Sequence, residues 1–82
     1  MNKRMGVIAI IVKDRKSSSS KVNEILTEYG EMIIGRMGVP YREKKVNVIS
    51  LIVEANTDQI GALTGKLGMI PQVEVKSILI TK

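Results

Sequence analysis

Val46-Asn47-Val48-Ile49-Ser50-Leu51-Ile52-Val53-Glu54-Ala55, followed at once by Asn56-Thr57-Asp58, is the stretch whose reading decides the fold. Successive strand side chains point to opposite faces. Alternation therefore puts Ile49, Leu51 and Val53 on one side and Val46, Val48 and Ile52 on the other. A strand that is apolar on both faces is a strand covered on both faces. Asn56, Thr57 and Asp58 then supply side-chain oxygens of the kind that accept from the free amides of a first helical turn. Beyond them Ile60, Leu63, Leu67 and Ile70 recur at helical spacing. The segment predicts a two-sided strand over residues 46–55 running directly into a helix.

Working outward, Tyr41-Arg42-Glu43-Lys44-Lys45 is a polar connection of hairpin length. It is preceded by a second strand over residues 32–39, interrupted by Gly35 and Gly38 and closed by Pro40. Glycine and proline there suit an edge strand carrying a bulge or a close backbone approach. Further upstream, residues 5–12 are apolar on both alternating faces, like residues 46–55. Lys13-Asp14-Arg15-Lys16 ends that first strand, the serines at 17–20 offer helix caps, and Val22, Ile25, Leu26 and Tyr29 mark one helical face stopped at Gly30. Downstream, Pro71 ends the second helix and residues 73–80 alternate as a fourth strand. The order β-α-β-β-α-β predicts an α+β, ferredoxin-like single domain over residues 1–82, an antiparallel four-stranded sheet with two helices on one face. Two helices cover one face only, yet the first and third strands are apolar on both. The uncovered face calls for a second copy of the chain, in a homodimer or a higher symmetric oligomer.

An 82-residue chain has room for one modest core, and domains of this size bury only ~60% of their unfolded surface. There is no Cys and no His, which excludes metal sites built from thiolate or imidazole and removes the usual general base near neutral pH. An Mg²⁺ or Ca²⁺ site of carboxylates and carbonyls stays formally open, but no cofactor is expected. Serine, Lys, Tyr and the carboxylates form no nucleophile–base constellation, so the reading is a non-enzyme. The apolar run at 5–12 is too short to span a bilayer and is followed by charge rather than a small-residue cleavage site. The expectation is a cytoplasmic protein with no membrane partner. Thirteen Lys and Arg against eight Asp and Glu give a net charge of +5, which permits contact with nucleic acid, phosphates or an acidic protein. With two Tyr and no Phe or Trp, the sheet lacks the stacking platforms of single-strand binders.

Three features stand out as candidate sites. Gly61, Gly65 and Gly68 follow i, i+4, i+7 along the second helix, with Lys66 between them; spacing and context do not match a phosphate-binding loop. Each glycine costs about 1 kcal/mol of helix propensity relative to Ala. The stripe therefore suits close approach of the helix to the sheet or a neighbouring subunit, or backbone contact with a ligand. The topology also brings Lys13, Arg15 and Lys16 to the same end of the sheet as Arg42, Lys44 and Lys45, where the first helix begins, so an anion-binding patch is one reading of that end and a solvated loop region the other. Arg36 lies inside an otherwise apolar segment. Its guanidinium either projects to water from an edge strand, pairs with Glu31 or Glu54 across a subunit interface, or holds a ligand carboxylate.

Lys21-Val22-Asn23-Glu24-Ile25-Leu26, Ile34-Gly35-Arg36-Met37-Gly38-Val39-Pro40 and Ile60-Gly61-Ala62-Leu63-Thr64-Gly65-Lys66-Leu67-Gly68 resemble the small ACT-like family of iron-only hydrogenase system regulators. The resemblance covers nearly the whole chain and is most specific from Thr57 to Gly68. It implies a fold similar to the C-terminal domain of the nickel-responsive repressor NikR and to ACT domains, which associate through their sheets and bind small effectors between subunits. A role in regulating hydrogenase expression or maturation follows from the family name. The repressor's nickel site uses His and Cys, which this chain lacks, and only Met1 to Arg4 precede the first expected strand, where the repressor carries a ribbon-helix-helix. The glycine of amino-acid-binding ACT domains is replaced by Asp14-Arg15-Lys16-Ser17. What the resemblance implies is a regulatory module that senses a small anionic ligand or docks a partner protein. Its candidate ligand contacts are Asp14, Arg15, Ser17, Ser18, Arg36, Gly61, Gly65 and Gly68; the alternative is a basic oligomeric transcription factor that binds DNA directly.

Overall fold

The third strand of the chain runs over Val46–Ala55, as alternation predicts. In the computed structural model, which describes residues 3–13 and 17–80, it is β3 in the order β1 (Arg4–Val12), α1 (Ser18–Glu28), a 3-10 turn (Gly30–Met32), β2 (Ile33–Tyr41), β3, α2 (Thr57–Gly68) and β4 (Val73–Leu79). The strands pair in the order β2-β3-β1-β4, every neighbour antiparallel. This is the ferredoxin-like βαββαβ arrangement, with β1 and β3 at the centre and β2 and β4 at the edges.

Parity sorts the two central strands. Ile8, Ile10 and Val12 of β1 and Leu51, Val53 and Ala55 of β3 are buried under the helices. Val22 and Leu26 of α1 and Ile60, Leu63 and Leu67 of α2 close over them. Each fully buried Val, Leu or Ile contributes ~1.5–3 kcal/mol relative to exposure, and with Met32, Ile49 and Ile70 these residues form the core cluster. α2 begins with a capping box: the Gln59 amide donates to Asn56 Oδ1 at 2.8 Å and the Asn56 amide donates to Gln59 Oε1 at 3.0 Å. Two of the four orphan amides of the first turn are thereby satisfied. At the start of α1, Ser18 is buried and its hydroxyl donates to the Pro71 carbonyl at 2.7 Å. That bond ties the first helix to the connection between α2 and β4.

Several boundaries differ from the sequence expectation. Helix α1 ends at Glu28, and Gly30 has no positive φ; the chain tightens into a 3-10 turn that delivers Met32 to the core, 7% exposed. β2 does not close at Pro40 but runs through it to Tyr41, because an edge strand tolerates a missing N–H. In the hairpin that follows, the Lys45 amide donates to the Arg42 carbonyl at 3.2 Å and Lys45 takes a left-handed φ of 56°.

Gly6 carries a constraint that the sequence did not single out. A Cβ there would lie 2.7 Å from the Ile78 carbonyl oxygen and 2.9 Å from Leu79 Cδ2, so the β1–β4 pairing needs the bare backbone. Gly6→Ala is expected to lower stability by about 1–3 kcal/mol, the usual cost of overpacking. Urea unfolding of the variant checks this; an unchanged midpoint would show that β4 yields without cost.

Candidate functional site

The register of β2 against β3 slips once. Ile33 faces Val53, but Gly35 faces Ile52 and Arg36 faces Leu51, which leaves Ile34 as the extra residue of a bulge. Because side chains alternate, one inserted residue exchanges the faces of everything after it. Ile33 and Val53 look toward the helices. An unbroken strand would put Arg36 on the open side; the bulge turns it toward α1. There an Arg36 Nη donates to Asn23 Oδ1 at 3.0 Å. Of the three readings of Arg36, this places it over the helix-covered layer, and no carboxylate among the described residues lies in ion-pair range of it.

Arg36 borders a cleft of about 170 Å³ between α1 and the β2–β3 side of the sheet. Its floor is Val12 and Ile49, both buried. Ser19 and Asn23 reach it from α1 and Asn47 from β3, with Asn47 Nδ2 donating to Ser19 Oγ at 3.4 Å. Gly38 leaves the space open: it sits on the same face as Arg36, opposite Ile49, and even a Cβ there would be 4.0 Å from Ile49 Cγ1. Sequence reasoning found Arg36 but not Ser19, Asn23, Gly38 or Asn47. The one signal was the Arg36–Gly38 spacing of two, which puts a charge and a gap on one strand face.

The other candidates are distributed around the molecule. Asp14, Arg15 and Lys16 lie outside the described residues. Ser17 is the N-cap position of α1, and the Ser18 hydroxyl is spent on Pro71. Gly61 and Gly65 do not bring α2 close to the sheet: they are exposed and a Cβ at either would meet nothing within 4 Å. A Cβ at Gly68 would lie 3.8 Å from Val75 Cγ1, an ordinary contact distance. Of the anion patch, Lys13 turns toward β4, with Nζ 3.2 Å from Glu74 Oε2, while Arg42, Lys44 and Lys45 stand exposed at the hairpin. Lys66 serves as a link between helices. Its amine reaches Glu28 at 3.1 Å and lies 5.2 Å from the Tyr29 ring centroid. The Glu28 hydrogen bond, followed by the Tyr29 hydroxyl, holds its pKa above the ordinary 10.5. The stabilisation from this raised value is fully present below the unfolded pKa and is lost as pH rises through the folded one.

The sheet face away from the helices carries an unpartnered apolar surface. Met37 (64%), Ile52 (48%) and Ile78 (66%) are exposed on it, and parity sets Val7, Ile11, Val39 and Val48 beside them. No helix among the described residues is long and apolar enough to cross a membrane.

The family model described as "TM1266-like: Iron-only hydrogenase system regulator, putative" matches residues 4–77. Among solved structures, the uncharacterized protein TM1266 from Thermotoga maritima is 40% identical, with a TM-score of 0.94 over 98% of this chain and 100% of that one. The ACT domain from GTP pyrophosphokinase of Chlorobium tepidum matches 94% of this chain and 100% of its own at 18% identity, with a TM-score of 0.74. A nitrogen regulatory PII-like protein from Thiomonas intermedia K12, bound to ADP, AMP and bicarbonate, matches at 14% identity and a TM-score of 0.51, over 95% and 91% of the two chains. These last two share the fold. No curated protein matches the chain.

Gly61→Ala and Gly65→Ala are expected to raise stability by up to about 1 kcal/mol each, since both positions are open and Ala is the better helix former. Chemical denaturation measures this; a fall at either site would reveal a second molecule seated on the glycine stripe.

Proposed function

This chain belongs to the TM1266-like family, and on that premise we propose that it is a regulatory module rather than a catalyst, working as a homodimer or higher symmetric oligomer in the iron-only hydrogenase system. In this reading it senses a small ligand or docks a partner protein and passes that state on through its own association. The observation that carries it is the apolar outer face of the sheet. Four strands about 4.8 Å apart and about nine residues long present a flat footprint of roughly 20 by 30 Å, about three quarters of the ~800 Å² per partner of a standard interface. A second copy fits it best. The same residues meet themselves across a two-fold axis, and the small core gives the isolated domain reason to bury more surface. Regulation also agrees with the ACT-like fold. Within the cell the reading is of a cytoplasmic protein.

A second reading, direct DNA binding, is favoured by one observation: Arg42, Lys44 and Lys45 are exposed together on the hairpin and none forms an ion pair with a described residue. Phosphate contacts weaken steeply with salt. A salt-sensitive gel shift removed by reversing the charge of these three residues would favour that reading.

Light scattering tests the main one. The wild-type protein is expected to run as a dimer or larger at micromolar concentration, and Ile52→Lys, which sets a charge in the middle of the outer face, to run as a folded monomer. A wild-type monomer at that concentration would overturn the proposal.

A further inference from the structure

The cleft beneath α1 has a composition that the sheet-mediated association does not use. Its polar lining is Arg36, Asn23, Asn47 and Ser19, with no carboxylate among the described residues that border it. Counting donors against acceptors shows the imbalance. Guanidinium offers five N–H groups in a planar fork, and one is given to Asn23 Oδ1. That bond leaves the Asn23 amide nitrogen to donate, and the Ser19 hydroxyl, which accepts from Asn47, has its proton to give; against these donors stands chiefly the Asn47 Oδ1 as an acceptor. Among the described residues that border it, the cleft offers more donors than acceptors and one positive charge. Two buried aliphatic side chains, Val12 and Ile49, make its floor.

The geometry points to a binding site for a small monocarboxylate with a short aliphatic body, its carboxylate held by Arg36 and Asn23 and its hydrocarbon laid on Val12 and Ile49 where Gly38 leaves room. The single guanidinium matches a single negative charge, and bidentate pairing with a carboxylate is the geometry its fork prefers. At about 170 Å³ the cleft falls below the ~300–1,000 Å³ of sites for drug-sized ligands, which suits a small acid better than a nucleotide. The aliphatic floor discriminates against inorganic anions, since phosphate or bicarbonate would desolvate there without hydrocarbon to bury. Asn23 belongs to α1 and Arg36 to the edge strand. A ligand bridging them stiffens the join between helix layer and sheet edge. This inference deepens the ligand-sensing part of the proposed function and rests on it only for its biological use, not for binding.

The test is a titration of the protein, followed by amide and guanidinium NMR shifts, with isovalerate, acetate, inorganic phosphate and AMP as separate probes. Isovalerate is expected to give saturable shifts at Ser19, Asn23, Arg36, Gly38 and Asn47 with a Kd on the order of 1 mM, tighter than acetate, phosphate or AMP. Arg36→Gln should weaken it at least about tenfold, as loss of a charge-assisted pair does. Gly38→Val, which suits a strand and fills the cleft, should abolish it while the remaining amide shifts keep their dispersion. Failure of isovalerate to saturate, equal affinity in both variants, or tighter binding of phosphate or AMP would overturn the site. Light scattering on the same samples keeps the two proposals apart: association without binding defeats the site alone, and binding by a monomer defeats the oligomer alone.

Discussion

Nine residue pairs, from Arg4 with Ala55 to Val12 with Asn47, hold β1 against β3 down the middle of the sheet. Everything else hangs on that pairing. It puts Ile8 opposite Leu51 and Ile10 opposite Ile49 on the face the helices cover, and fixes which residues must look the other way. Two helices span one face, so the same ladder that builds the core leaves Val48 and Ile52 exposed. The small core and the apolar back of the sheet therefore have one cause, a central pair with hydrophobic side chains of both parities. In a domain of this size the hydrophobic contribution of the open face is withheld until something covers it.

The elements were legible because their signals are local and periodic. β3 ends where alternation stops, and α2 starts where Asn56 and Gln59 can close a capping box. The family likeness read from the Ile34–Pro40 and Ile60–Gly68 segments agrees with the match over residues 4–77. The fold's boundaries were less legible where tertiary burial overrides a local stop, as at Gly30, where the chain goes on turning to seat Met32. Gly6 was hidden for a related reason. Its lack of a side chain matters only because Ile78 and Leu79 arrive from the far end of the chain.

The candidate site was only partly legible. A charged residue in an apolar strand marks Arg36 as unusual, but which face it takes depends on register, and register is a relation between strands. Asn23, Asn47 and Ser19 look like ordinary surface polar residues until α1 is laid over β2 and β3. The glycines of α2 show a different limit. Their spacing suited close approach to the sheet, to a neighbouring subunit or to a ligand, and Gly61 and Gly65 lie on the side of the helix away from the sheet. Spacing along a helix defines a stripe without saying which way the stripe faces.

The bulge at Ile34 has a consequence for how this edge of the molecule can vary. Ile34 is itself exposed, 58%, so its side chain is free to change. Its presence is not. Remove that one position and the strand beyond it is read in the other frame: Arg36 moves to the bare back of the sheet, and Met37, Val39 and Tyr41 are pushed toward the helices. Edge strands commonly absorb insertions and deletions at little cost. Here the count of residues carries the information that identity does not, and a length change of one works like a frameshift in three dimensions.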